Sequence, residues 1–300
     1  MKFLTFKLDD KPQLGLLLDE NTVYNVTRSW GDLFTGAAPQ DVAGLIGSNV
    51  DVRDLKERVS KAHNTENVLS KADIEFMPPI AEPRKNVFCV GRNYREHIIE
   101  GNRAAGRDPN NFPKATEFFS KPPTTVVGHG ADVKDHADVT ELLDYEVELG
   151  IVIGRRGANI RREEALDYVF GYTVINDITA RDLQKSHGQW FKGKALDTTC
   201  PIGPVVVHRS AIPNAQNLQL ELHVNDEMRQ NANTSDMLFT VPEIIEQLSA
   251  GLTLEPGDII ATGTPSGVGF AMIPPRKLVA GDVVLARIGG IGDLMNRIVS

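Results

Sequence analysis

The sequence predicts an α+β fold, in which a larger, mixed or largely antiparallel β portion follows a small N-terminal α/β appendage. Three observations carry this. Short apolar, β-branched runs outnumber helical patterns along the chain. The regular strand–helix–strand alternation of a doubly wound sheet is missing. Prolines at 78, 79 and 83 interrupt regular structure and divide residues 1–75 from residues 76–300.

Taken in order, Lys2 to Phe6 alternates like a strand, Asp9 to Pro12 reads as a turn, and Leu14–Leu18 and Thr22–Val26 complete a meander. Val42, Leu45, Ile46, Val52, Leu55 and Val59 then suit a short helical pair. Beyond the prolines, Asn86–Val90 reads as a buried strand. It ends at Gly91 and leads into a short helix with Asn93 as its expected cap. Residues 101–140 are rich in Gly, Asn, Pro and Lys, and predict a long loop acting as a rim or lid. Val147 to Ile153 and Tyr172 to Ile175 are strands by residue type, and Asn159–Phe170 is expected to be a helix stopped by Gly171. Further strands are expected at 204–207, 218–224, 258–261 and 283–288. Thr240 and Glu243 form the capping box of a helix over 241–250.

Composition narrows the function classes. The 300 residues are 41% hydrophobic and 24% charged, which is ordinary for a globular enzyme. A formal charge of −8 and no Lys/Arg run longer than two give no reason to expect a nucleic-acid partner. No apolar run reaches membrane-spanning length, and Lys7 and Asp9 interrupt any signal-peptide core, so a membrane partner is not expected. Cys89 and Cys200 are the only cysteines, and both fit reduced buried thiols in a cytoplasmic protein.

The chemistry-bearing residues are few. Glu146 and Glu148 sit two apart on a strand and so share a face. Paired carboxylates on an apolar strand resist burial unless a cation lies between them, and the plainer alternative is an edge strand facing water. Asp177, at the end of the next strand, is a third carboxylate that can converge with them. Three carboxylates without His or Cys select a hard cation, Mg²⁺, Mn²⁺ or Ca²⁺, rather than zinc. His97 and Glu100 are three apart on the helix after Gly91, which fits a carboxylate-oriented general base or, more plainly, a solvated polar face. Lys194, after Gly193, is a candidate cation for a substrate oxyanion or else a surface lysine. The segment Ala261-Thr-Gly-Thr264-Pro-Ser-Gly-Val-Gly269 frees backbone N–H groups for a small carboxylate or makes a tight turn.

The order of these blocks resembles the fumarylacetoacetate hydrolase family over roughly residues 80–298. The blocks are Val87 to Tyr94 with His97 and Glu100, Asp144-Tyr-Glu146-Val-Glu148, Asn176-Asp177-Ile-Thr-Ala-Arg181-Asp182, Lys194 to Pro204, Asn233 to Met237, and Leu254 to Gly269. The resemblance implies a mixed β-roll catalytic domain, usually a homodimer, with Mg²⁺ or Mn²⁺ held by Glu146, Glu148 and Asp177. It implies that Lys194 contacts the oxo acid, that His97 and Glu100 activate water, and that Arg92, Tyr94, Arg181, Gln184 and Thr264 bind substrate. One departure is Ala195-Leu196, where the family more often has Ser-Phe. The reaction expected is hydrolysis of a C–C bond in an acylpyruvate-type 2,4-dioxo acid through a metal-stabilised pyruvate enolate. Oxaloacetate decarboxylation and isomerisation of a hydroxymuconate-type diacid are the alternatives, and a structural Ca²⁺-binding module is the non-enzymatic one.

Overall fold

The computed structural model describes residues 1–62 and 65–300. Strands β1 (Lys2–Leu8), β2 (Lys11–Leu17) and β3 (Thr22–Asn25) form the expected meander, with Phe3 opposite Leu16 and Leu8 opposite Lys11. Helix α1 (Val26–Leu33) is an addition to the sequence reading. The Asn25 side chain accepts from the Arg28 N–H to start it, and Val26, Trp30 and Leu33 bury one face. Helices α2 (Val42–Gly47) and α3 (Val52–Lys61) are the anticipated pair, capped by Asp41 and Asp51. Strands β4 (Val68–Ser70) and β5 (Glu75–Met77) close this part of the chain.

Strand β6 (Val87–Gly91) leads into α4 (Arg95–Ala104), whose cap position falls on Tyr94 rather than on the expected Asn93. The Asn93 amide is fully engaged elsewhere: it donates to the carbonyls of Phe239 and Thr262 and accepts from the Phe239 N–H. A tertiary clamp has displaced the local capping bond. The stretch expected to be one long loop is broken by β7 (Glu117–Lys121), β8 (Val126–Val127) and β9 (Asp132–Lys134). Only residues 105–116 form a long run without helix or strand there.

Strands β10 (Leu143–Asp144), β11 (Val147–Ile153) and β12 (Val169–Asn176) come next. The helix expected over 159–170 is instead a 3-10 segment, Arg162–Tyr168, and Gly171 lies inside β12 opposite His208. Asn159 takes a left-handed φ of 51°, and its side chain accepts from the Gly251 N–H instead of capping a helix. After β13 (Thr179–Ala180) two short helices, α5 (Arg181–Ser186) and α6 (Phe191–Lys194), precede β14 (Cys200–His208). The remainder comprises β15 (Gln219–Val224), β16 (Glu227–Asn233), α7 (Val241–Ser249), β17 (Ile259–Ala261), β18 (Val283–Ile288) and β19 (Gly292–Val299). The Thr240/Glu243 capping box of α7 is present as expected.

The chain is therefore a mixed α/β structure with several sheets and few helices. Its largest sheet runs β4-β3-β2-β1-β14-β12-β11-β17-β6-β7, and a second runs β16-β15-β18-β19-β9. Because β1 pairs with β14, the N-terminal strands extend the sheet that carries the acidic residues. Strand β11 lies between β12 and β17, antiparallel to both, and all seven of its residues are buried. β17 in turn runs parallel to β6, which brings the start of α4 beside the first residues of β11.

Candidate active site

The central place of β11, with Glu148 on it and Glu146 just before its first residue rather than on the strand as expected, decides how the two carboxylates must be read. Glu146 is 4% exposed and Glu148 1% exposed, so neither faces water from a sheet edge. Asp177 follows the end of β12, and its N–H donates to the Glu146 carbonyl at 2.9 Å. One oxygen from each of Glu146, Glu148 and Asp177 lies within 4.8 Å of the others. The convergence read from a two-residue spacing and a strand end is thus what the fold builds.

Buried carboxylates need counter-charge, and it arrives from three distant segments. Lys194 Nζ stands 2.8 Å from Glu146 Oε2 and 2.7 Å from Asp177 Oδ2. Gly193 lets α6 come this close, since a Cβ there would meet the Gln184 N and the Ala180 carbonyl oxygen at 2.5 and 2.6 Å. Lys121 Nζ, at the end of β7, lies 2.9 Å from Asp177 Oδ1 and donates to the Ile178 carbonyl and to Thr199. Arg181 reaches Glu146 Oε1 with Nη1 at 2.7 Å and Asp144 Oδ2 with Nε at 2.9 Å. The arrangement is short of one cation: Asp144, Glu146, Glu148 and Asp177 face Lys121, Lys194 and Arg181.

The shortfall falls on Glu148. Among the described residues no cationic side chain forms an ion pair with it, and it accepts a hydrogen bond from the Gly263 N–H at 2.7 Å. Burial, followed by repulsion from Asp177 and Glu146, pushes its carboxyl well above the usual range. Glu146 goes the opposite way: burial would raise it, but Lys194 and Arg181 hold it down to about 2. Burial would lower the Lys194 ammonium, yet Asp177 and Glu146 raise it above its ordinary value. A cluster of hard oxygen donors with one buried carboxylate left unmatched fits a divalent cation of the Mg²⁺ or Mn²⁺ kind.

Above this floor, α4 supplies the wall. His97 Nδ1 is 2.9 Å from Glu100 Oε1, and Glu100 is itself anchored by the Gly267 N–H at 3.2 and 3.0 Å from its two oxygens. Both side chains are partly exposed, at 11% and 22%, and His97 lines a cavity of about 500 Å³ whose floor includes Glu146, Glu148 and Lys194. The pair is therefore not a solvated helix face. Its orienting carboxylate is locked, which leaves Nε2 as the nitrogen available for proton transfer.

The other residues singled out from the sequence divide. Arg181, Gln184 and Thr264 line the cavity with Arg92. Thr264 is pinned, however: its hydroxyl donates to the Val147 carbonyl and accepts from Gln230. Arg92 holds the rim, bonding Glu117 at 3.0 Å and the Asn111 carbonyl, with a left-handed φ of 52°. Tyr94 is a core residue rather than part of the cavity lining, 1% exposed, and among the described residues its hydroxyl has no hydrogen-bond partner. Sequence reading missed Lys121, Asp144 and Gln230. For Asp144 a signal existed, because Asp144, Glu146 and Glu148 continue one two-residue period. For Lys121 the hint was a single Lys ending an aromatic strand, and for Gln230 there was none.

Residues 86–299 match the family model described as the fumarylacetoacetate hydrolase C-terminal domain. Over 99% of its length the chain is 45% identical to oxaloacetate tautomerase YisK of Bacillus subtilis, all of which is covered. Among solved structures, a fumarylacetoacetate hydrolase from Exiguobacterium antarcticum superposes with a TM-score of 0.83 at 38% identity, covering 100% of this chain and 99% of that one. A 2-hydroxyhepta-2,4-diene-1,7-dioate isomerase from Mycobacterium marinum gives 0.73 at 30% identity, covering 100% and 98%. No helix among the described residues is long and apolar enough to cross a membrane. A match spanning the acidic floor, the His97–Glu100 wall and both large sheets is enough to say that the chain belongs to the fumarylacetoacetate hydrolase family.

Proposed function

We propose that this protein catalyses keto–enol proton transfer on a small 2-oxo diacid of the oxaloacetate class. The observation that carries the reading is the locked His97–Glu100 pair standing over a floor of carboxylates bridged by Lys194. Glu146, Glu148 and Asp177 would hold Mg²⁺ or Mn²⁺, whose contribution when bound is Lewis-acid polarisation of the 2-oxo group. His97 Nε2 takes a proton from C3 of the keto acid, the C3–H electron pair becomes the C2–C3 double bond, the oxygen at C2 takes a proton from water in the cavity to give the enol, and the His97 imidazolium returns its proton to the hydroxide so formed. Glu100 orients the ring and stabilises the imidazolium that forms transiently. Lys194 steadies the negative charge that develops on the substrate's oxygens. The relative named as an oxaloacetate tautomerase supports this assignment.

A second reading, hydrolysis of an acylpyruvate, is favoured by the same His97–Glu100 geometry, which suits activation of a water as well as abstraction of a carbon-bound proton. One experiment separates the two. Mg²⁺- or Mn²⁺-loaded protein is mixed with oxaloacetate and with acetylpyruvate in D₂O and followed by proton NMR, with a chelator control. Rapid chelator-sensitive deuterium uptake at C3 of oxaloacetate, without acetate from acetylpyruvate, is expected. Release of acetate and pyruvate would transfer the assignment to hydrolysis, and carbon dioxide as the main product to decarboxylation. The family match beginning at residue 86 also supports a division of labour between a leading unit, residues 1–75, and a catalytic β-roll. A homodimer is the assembly proposed, and light scattering of the purified chain tests it.

A further inference from the structure

The cavity is much larger than the diacid proposed for it. At about 500 Å³ it falls in the range that holds drug-sized ligands, whereas the acidic floor and His97 account for the needs of an oxo-acid head. The surplus space is bordered by an aromatic wall that the proton-transfer chemistry does not use. Trp190, just before α6, packs on Gly91 so closely that a Cβ at that position would overlap its ring. The Trp190 ring meets Phe119 edge to face, with centroids 5.5 Å apart and planes at 69°. Phe119 in turn lies 4.8 Å below Lys194 Nζ, so the wall begins directly beside the floor. Ile98 and Ala105 on the α4 side continue the apolar lining toward the rim.

Neither ring is buried as a core residue would be. Trp190 and Phe119 each remain partly exposed while lining the cavity. Large aromatic faces left open beside a charged floor gain most from covering an apolar group. We propose that Trp190 and Phe119 form a subsite for an apolar arm, and that the protein takes 2-oxo acids carrying such an arm beyond the oxo-acid head. Trp190 is the specificity-determining residue of this subsite, and Gly91 is the positioning residue that lets the indole lie against β6. The inference rests on the oxo-acid reading of the floor, and adds to it a class of substrate longer than oxaloacetate.

The test uses two probes with one head, oxamate and N-benzyloxamate, titrated calorimetrically into the full-length Mg²⁺-loaded protein. N-benzyloxamate is expected to bind about tenfold or more tightly than oxamate, because the ring covers apolar surface. Trp190→Ala is expected to remove most of that advantage while leaving oxamate affinity near wild type, and Gly91→Ala to do the same by displacing the indole. Trp190→Phe, which keeps an aromatic face, is expected to retain part of it and guards against a folding defect in the alanine variant. Trp30 and Trp190 are the only tryptophans, so quenching by N-benzyloxamate in a Trp30→Phe background reports the contact directly. Equal affinity for the two probes, or equal weakening of both by Trp190→Ala, would overturn the subsite and leave the oxo-acid floor standing. Binding of oxamate without N-benzyloxamate would likewise overturn the subsite alone, whereas failure of both probes to bind would overturn the floor reading, and this inference with it.

Discussion

The floor and the wall of the cavity handle charge in opposite ways. The floor lies at strand ends deep in the sheet: Asp144, Asp177 and Lys121 are fully buried, and Glu146, Lys194 and Arg181 nearly so. Its groups are held by one another. The wall is one turn of α4 in which His97 and Glu100 stay partly open to solvent and lean on a single backbone N–H of the 262–270 loop. The difference is physical. Charges removed from water must be matched pair by pair, which makes the floor rigid and costly to disturb, while a group that must gain and lose a proton needs access to solvent and substrate. Stability and turnover should therefore respond to different substitutions.

The largest effect should come from Asp177→Ala. It leaves Lys121 and Lys194 facing each other in a buried site, a loss of roughly 3–5 kcal/mol for breaking a buried pair. Urea unfolding of the metal-free protein measures this, and a wild-type midpoint would show that the floor is not held by pairing. Glu148→Gln sharpens the contrast. Among the described residues no cation forms an ion pair with Glu148, so metal-free stability should change by less than about 1 kcal/mol, whereas Mn²⁺ affinity by calorimetry should fall on the order of 100-fold or more. Equal destabilisation by the two substitutions would erase the distinction drawn between a paired and an unpaired floor carboxylate.

For the wall, His97→Asn should lower turnover by about 10²–10⁴-fold while the unfolding midpoint moves by no more than about 0.5 kcal/mol. Steady-state rates on oxaloacetate beside a denaturant curve decide it. A stability loss as large as that of Asp177→Ala would mean that the wall is part of the floor's framework.

This contrast also explains what the sequence revealed. Glu146, Glu148, His97 and Glu100 were legible because strand and helix periods put neighbours on one face, and Asp177 because a strand visibly ends there. The strands of the meander, β11, β12 and β18 were legible from their apolar runs for the same local reason. What stayed hidden is non-local: Lys121 reaching Asp177, Arg181 reaching Asp144, and Asn93 clamping the segments at Thr262 and Phe239. Asn159 and Asn93 were read as helix caps because their residue type favours that role, and in both cases a distant backbone group outcompeted the adjacent one.

His208 extends the comparison to a third place and carries the smallest effect. Like Glu148 it is pressed toward its neutral form, here at the seam of β14 with β1, where its own N–H donates to the Met1 carbonyl. Burial, then the chain's amino terminus, Arg209 and Arg53 lower its pKa from 6.5 to about 4, against an opposing pull from Asp51. Below pH about 6.5 the unfolded chain binds a proton that the folded chain refuses, so the stability tied to neutral His208 is complete above that pH and is lost as pH falls through about 4. Because the ring is only half buried, solvent screening limits the effect to about 1 kcal/mol. His208→Gln, which cannot be protonated, should lose less stability than wild type between those two pH values and match its pH dependence above them. Carboxylate titrations are common to both proteins, so the difference between their Tm-versus-pH curves isolates the imidazole. Parallel curves across the window would show that exposure, rather than the surrounding cations, governs this histidine, and that like-charge pressure acts only where burial is complete, as at Glu148.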